Sequence, residues 1–318
     1  MSFIPKSEDE YEDLMGLWSD LQSGLAMALS HPLSVQEFPA RIQQYDRWMQ
    51  NLIQYDTDVA LYLLFQLASH SPVGYSASHA LVCAVFCDLV AREVQLPAAE
   101  RDSLVHAALT MNLAMTGLQD QLANQRERPT PEQELALRSH EASGADLLRN
   151  LGITDQLWLQ TVQQHHRETS FQEGLLTVPP LQRLTHMLNV VDRYAAMISP
   201  RQSREARSAI ESTKSLVSTD TTKNNQVGQA LLKVVGFFPP GTFVQLDDAS
   251  VGVVMRRRNL EKRPDVAIVL NDKGQLLRPP SLHTSFNGGP VITAAVPASR
   301  VREHLNHHLI LQLGAQAA

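Results

Sequence analysis

The chain has 318 residues, 43% of them hydrophobic and 19% charged, which is ample for a real core and about twice the usual length of a single domain. Its net charge of −6 excludes a global electrostatic pull toward nucleic acid or an anionic membrane. Cys83 and Cys87 are its two cysteines, too few for a disulfide framework, which fits a reducing cytosol.

The first residues, Met1 to Lys6 followed by Glu8, Asp9, Glu10 and Glu12, are acidic and lack the apolar centre of a signal peptide. No later stretch is apolar for long enough to cross a bilayer, so a cytoplasmic location is expected. Residues 10 to 68 read as helices, with Leu14, Leu17, Trp18, Leu21, Leu25 and Leu29 at helical spacing, then Tyr45, Trp48, Met49, Leu52 and Ile53. Pro32 and Pro39 fall in the break between them. From Ser78 to Val94 the chain is apolar almost all round, which predicts a buried helix. Cys83 and Cys87 share one face of it, and packing is a better reading than zinc without further cysteines. A second buried helix is expected from about Ala99 to Gln119. Thr130-Pro131-Glu132-Gln133 is a helix start, with Thr as cap and Pro at the first helical position, and Gly152 follows the end of that helix near Asn150. Further helices are expected at about 154–167, 180–198 and 203–215, then a polar loop from Ser215 to Gln229.

Periodicity changes at Phe237-Phe238-Pro239-Pro240-Gly241. Beyond it β-branched runs at Thr242, Val251 and Val266 alternate with turn segments at Asp247-Asp248 and Asn271 to Gly274, which predicts a small antiparallel β-module over about 239–296. Ser299 to Leu313 could close the chain as a helix. The expected organisation is therefore an N-terminal helical region (1–60), a helical domain (61–235) and a β-module with a C-terminal helix (236–318). The fold class is mainly α.

Chemistry-bearing residues cluster in the helical block. His79, His140, the adjacent His165 and His166, and Asp192 sit on separate apolar helices. Any one of them alone reads as an ordinary core or surface residue. Together, four imidazoles and a carboxylate suit a divalent transition metal such as Fe, Mn, Ni or Zn. Adjacent histidines are about 100° apart on a helix, so both reach one site at a helix end or along a broad buried face.

Their order and spacing resemble the HD-GYP family, an all-helical branch of the HD phosphohydrolases. His79 aligns with that family's first histidine. Ala107 to Met115 (Ala-Ala-Leu-Thr-Met-Asn-Leu-Ala-Met) aligns with its Ala-Ala-Leu-Leu-His-Asp-Ile-Gly-Lys signature, and His140 with Gly144 matches His-x-x-x-Gly. His165-His166 matches the paired histidines, and Asp192-Arg-Tyr-Ala-Ala196 with Arg201 matches Asp-x-Tyr-Asp-Ala with its trailing arginine. The resemblance covers about residues 60 to 215 and implies an HD-domain-like helical bundle, bound metal ions and hydrolysis of cyclic di-GMP.

The departures qualify that implication. The name-giving His-Asp pair is Met111 and Asn112, Met115 replaces a phosphate-contacting lysine, and Ala195 replaces the second aspartate of the late motif. Tyr75 stands where three-metal members carry glutamate, and residues 167–175 contain no Gly-Tyr-Pro. One pocket then keeps only His79 and Asp192 beside the remnant positions Met111 and Asn112. The other keeps His140, His165 and His166, a three-imidazole set for one ion. The expectation is a non-catalytic protein of cyclic-dinucleotide signalling, or an interaction scaffold, with no catalytic residue assigned. It would bind one divalent ion or none, and a cyclic dinucleotide or a protein partner; a homodimer is left open, and nucleic acid and membrane are not expected. The competing expectation is a metal-dependent phosphohydrolase working from a single ion. Stoichiometric metal favours the enzyme, and an empty site the scaffold.

Three other features read as structural. His106 lies more than 100° round the helix from Met111 and is not expected to replace its missing imidazole. Arg256-Arg257-Arg258 with Lys262 and Arg263 reads as a solvated hairpin edge. His304, His307 and His308 are expected to be exposed.

Overall fold

The computed structural model describes residues 8–69, 74–167, 169, 171, 174–203, 205–219, 225–257, 264–283, 290–301 and 305–316. Its helices are α1 (Glu8–Ser30), α2 (Phe38–Tyr55), α3 (Thr57–Ser69), α4 (Tyr75–Glu93), α5 (Ala98–Thr110), α6 (Thr116–Ala123), α7 (Pro131–Asn150), α8 (Gln156–Gln164), α9 (Pro180–Ile198), α10 (Ala209–Thr219), α11 (Gln226–Val235) and α12 (His307–Gln316). Its strands are β1 (Phe243–Leu246), β2 (Val251–Arg256), β3 (Asp265–Leu270), β4 (Leu276–His283) and β5 (Ile292–Val296).

A helix without a polar face has nowhere to go but the centre of a bundle. Accordingly α4, buried from Ser76 to Ala91, packs against α1, α5, α6, α9 and α11. The start predicted for α7 is present as a full capping box: the Thr130 hydroxyl accepts from the Gln133 N–H, and the Gln133 side chain accepts from the Thr130 N–H. Asp155 caps α8 by accepting from the N–H groups of Leu157 and Trp158.

The strands form one antiparallel sheet in the order β4-β3-β2-β1-β5. Alternate residues serve its two faces. Phe243, Val253, Met255, Ala267 and Val269 join the core of the helical bundle, whereas Val244, Val254 and Val266 form a small cluster with Phe238, Ile268 and Ile292 on the opposite face. Ile310 and Leu311 of α12 belong to the same large core. Gly241 lets the chain turn into the sheet hard against α3. It has φ +86°, and a Cβ there would stand 2.5 Å from the Tyr62 carbonyl oxygen. The Gln66 side-chain amide donates to the Gly241 carbonyl at 2.8 Å.

Several expectations need correction. The helix begun at Ala98 does not reach Gln119; it stops at Thr110, a 3-10 turn spans Leu113–Met115, and α6 follows. Thr110 Oγ1 bonds back to the His106 carbonyl at 2.7 Å and Asn112 leaves the helical region, local bonding that competes with the helix. The span Ser215 to Gln229 is not a loop throughout: α10 runs to Thr219 and α11 starts at Gln226, because Leu216, Val227, Ala230 and Leu231 are core residues. The closing helix begins at His307, later than expected, and the helix expected from 203 begins at Ala209. Arg256 and Arg257 of the basic run do not form a solvated edge. Arg256 Nη2 meets Asp56 Oδ2 at 2.7 Å and Arg257 Nε meets Asp58 Oδ1 at 2.5 Å, tying β2 to the start of α3; Arg258, Lys262 and Arg263 lie outside the described residues. His307 is half-buried and hydrogen-bonded to the Tyr62 hydroxyl at 2.7 Å, and His308 is half-buried beside Gln312; His304 lies outside the described residues. Among the described residues no helix is long and apolar enough to cross a membrane.

Candidate metal centre

Two groups of side chains converge between α4, α7, α8 and α9. The first starts on α4, where Tyr75, His79 and Cys83 follow one another at single-turn intervals and so share a face. Across from them α9 presents Asp192. His79 Nε2 lies 2.8 Å from Asp192 Oδ1 and 3.6 Å from Cys83 Sγ, and one donor atom from each residue lies within 4.8 Å of the others. An ionised carboxylate only accepts, so Nε2 carries the proton. His79 Nδ1 is buried and has no hydrogen-bond partner among the described residues. The Tyr75 ring stacks on His79 with centroids 5.5 Å apart, and Arg201 lies over Tyr75 while donating to its hydroxyl at 2.9 Å.

The second group joins α7 to the end of α8. His140 is buried in α7, and Gly144 one turn later sits against the Met111 carbonyl and the Val162 side chain. His165 caps the C-terminus of α8 and His166 follows in the turn, so the helix-end arrangement is the one that lets adjacent histidines share a site. The ring centroids lie 5.1 Å apart for His140–His165, 5.2 Å for His140–His166 and 4.1 Å for His165–His166. Nitrogens of all three fall within 4.8 Å of one another.

Backbone contacts fix the tautomers of the inner two. His140 Nδ1 is 2.6 Å from the Leu137 carbonyl and His165 Nδ1 is 2.7 Å from the Val162 carbonyl. A carbonyl only accepts, so each Nδ1 is the N–H of its ring. Burial, aided by the charge of His166, lowers both pKa values, that of His165 to about 3, so both rings are neutral near pH 7. Each Nε2 is therefore a bare lone pair, and the two face each other at 3.3 Å. Two acceptors at that distance are not a hydrogen bond; they are matched to a cation between them. Orienting a ligating imidazole by bonding its other nitrogen is how protein metal sites hold their histidines. The donor set fits the divalent ion that the motifs imply.

The charge of Asp192 is felt by both groups. Burial opposes its charge, but the hydrogen bond from His79 and the neighbouring imidazoles outweigh that, and its pKa falls to about 2. With His165 neutral, His79 is the main cause. One turn earlier on α9, the Asn189 amide donates to the His165 carbonyl at 3.0 Å. The same burial that shapes the site pushes the Cys83 thiol well up, with Asp192 and Cys87 adding to it.

The structure thus brings His79 to Asp192 and His140 to His165 and His166, five residues from four helices. Met111 is packed in the core and 1% exposed. Asn112 Oδ1 is buried and has no hydrogen-bond partner among the described residues. His106 turns away to Asp46 of α2 at 3.1 Å and packs on Trp158, as its helical phase requires. Sequence reasoning assigned Cys83 to packing and missed its place beside His79; the His-x-x-x-Cys spacing was the available signal.

No family model matches the chain. Over 205 residues it is 28% identical to the cyclic di-GMP phosphodiesterase PA4108 of Pseudomonas aeruginosa, a match covering 62% of this chain and 48% of that protein. The chain spans about half the length of this curated relative. Its fold is similar to that of Bd1817, a HDG"Y"P protein from Bdellovibrio bacteriovorus, with a TM-score of 0.51 at 14% identity over 69% of this chain and 70% of that one. The HD-GYP resemblance read from the motifs is borne out by this relative and by the shared helical fold.

Proposed function

We propose that this chain is a non-catalytic relative of the HD-GYP phosphodiesterases that holds one divalent ion on His140, His165 and His166. It serves cyclic-dinucleotide signalling by binding the nucleotide or a protein partner. One observation carries the reading. Where the HD-GYP signature has its paired His-Asp, this chain has a thioether, Met111, and a neutral amide, Asn112, whose Oδ1 is buried with no bond partner among the described residues.

A metal pair, when bound, supplies hydroxide at neutral pH and stabilises the phosphate charge. Holding two cations close together requires a bridging anion between them. Asn112 has no charge to offer, and Met111 is a poor ligand for hard or borderline ions. Met115, buried, cannot contact a phosphate as a lysine would. The side chains that remain orient imidazoles and bury a carboxylate.

A second reading, a phosphohydrolase working from one ion, draws on the facing Nε2 lone pairs of His140 and His165. Bound metal, which from the sequence alone favoured the enzyme, does not separate the two, because the facing lone pairs suit an ion in either; turnover does. Protein loaded with Mn2+ or Fe2+ and incubated with cyclic di-GMP is expected to give no linear product while still binding metal. Product that grows in proportion to protein and vanishes in His165→Ala overturns the non-catalytic reading. Elemental analysis and equilibrium binding of cyclic di-GMP on the same sample report the ion and the ligand.

A further inference from the structure

We propose that His79, Cys83 and Asp192 form a separate, thiolate-containing cation site whose chemistry selects zinc. The motif resemblance assigns no role to Cys83, and packing alone accounts for a buried thiol. Packing does not account for its company. Cys83 Sγ is 3.6 Å from the same His79 nitrogen that meets Asp192 at 2.8 Å, so three different donor types surround one point. His79 and Cys83 are four residues apart on one helix, which holds their separation fixed without help from a loop. Thiolate, imidazole and carboxylate together suit zinc, whereas manganese and magnesium sites are built from oxygen.

The site can be reached and its protons balance. His79 lines a cavity of about 320 Å3 together with Tyr75, Ser78 and Arg201, which gives an ion and water a way in. Binding forms metal–sulfur, metal–nitrogen and metal–oxygen bonds. The thiol proton leaves to solvent, and the ring proton of His79 moves from Nε2 to Nδ1, which has no hydrogen bond to lose among the described residues. One proton is released per ion, and three protein ligands leave a fourth position for water.

The inference rests on the reading that the hydrolytic metal pair is gone, since the cation here is held without the missing bridge. Cobalt tests it directly. The full chain, stripped with a chelator and titrated with Co2+, should develop a near-ultraviolet thiolate-to-cobalt band that saturates by two equivalents, the three-histidine site taking the other ion, and disappears when Zn2+ is added. Cys83→Ser and Cys83→Ala should lose the band, while Cys87→Ser and His165→Ala keep it. A wild-type protein without the band, or a band lost in Cys87→Ser alone, overturns the proposal. Should both Cys83 variants fail to fold, retention in Cys87→Ser still assigns the sulfur, because the chain has no other cysteine. A band accompanied by cyclic di-GMP turnover leaves this site standing and removes the non-catalytic reading; no band and no turnover does the reverse.

Discussion

His140 and His165 turn bare nitrogens toward each other at 3.3 Å, each ring locked in that tautomer by a carbonyl one turn back in its own helix. Without a cation this is a repulsive contact between lone pairs, held by the packing of α7 on α8. Occupation by an ion relieves it, and protonation of either ring would replace it with a hydrogen bond but place a charge in the core.

The pH dependence follows. The folded pKa of His165 is about 3 against 6.5 for the free side chain, so below pH 6.5 the unfolded chain takes up a proton that the folded chain refuses. His165 thus contributes stability above about pH 6.5 that is lost progressively as pH falls toward 3, and His140 shifts in the same direction. From pH 7 to pH 5 the His165 contribution alone is on the order of 2 kcal/mol. Asp192 adds nothing to this window, since its loss begins below its ordinary value of 3.8. Urea unfolding of the metal-free protein at the two pH values should show the fall, and His165→Gln should flatten it. An equal slope in that variant would remove the argument.

Restoring the missing pair is informative. Met111→His with Asn112→Asp should let the protein bind one more metal ion, measured by elemental analysis after gel filtration. Hydrolysis of cyclic di-GMP should stay far below that of a complete enzyme, because Met115 and residues 167–175 still lack the lysine and the Gly-Tyr-Pro segment. Full activity in the double variant would show that the two ligands were all that was lost.

The ion pair between sheet and bundle should be costly to halve. Arg256 and Asp56 are 11% and 5% exposed in their side chains, and Arg256 also donates to the Gly314 carbonyl of α12. Arg256→Leu removes a cation from beside the buried Asp56 carboxylate, at a cost of about 3 kcal/mol. Adding Asp56→Asn, which keeps an oxygen for the N–H groups of Asp58 and Val59, should recover much of it. A double-mutant cycle in urea measures the coupling; additive effects would mean that the pair is inert.

Gly241→Ala probes the joint next to it. The left-handed backbone alone costs about 1–2 kcal/mol for a residue with a Cβ, and the 2.5 Å approach to the Tyr62 carbonyl must also be relieved. A lowered urea midpoint with unchanged metal content is expected. No change in midpoint would mean that the sheet moves freely off α3.

The helices, the change of periodicity at Gly236 and the hairpin turns were readable because each depends on local pattern. The ordered histidines were readable for the same reason, since the motif spacing carries them. What the sequence concealed was tertiary. Nothing local marks Arg256 and Arg257 as partners of Asp56 and Asp58, about 200 residues earlier, so they read as surface charge. β4 falls within the expected β-module and tolerates Pro279 and Pro280 because it is an edge strand, a placement that only the tertiary sheet order gives. Cys83 was assigned to packing because its His-x-x-x-Cys spacing from His79 is a weak signal until Asp192 arrives from α9.

The core shared by bundle and sheet has a consequence for cooperativity. Leu81, Leu188, Val253 and Ile310 belong to one contiguous apolar cluster, so the sheet cannot be peeled away without exposing helical side chains to water. Folding of the two parts is then a single equilibrium, and an ion that binds only the folded chain deepens it everywhere by the same free energy. Amide protons in β2 and β3 should therefore exchange more slowly when the histidines on α7 and α8 are occupied, although no strand touches the ion and no atom of the sheet has to move.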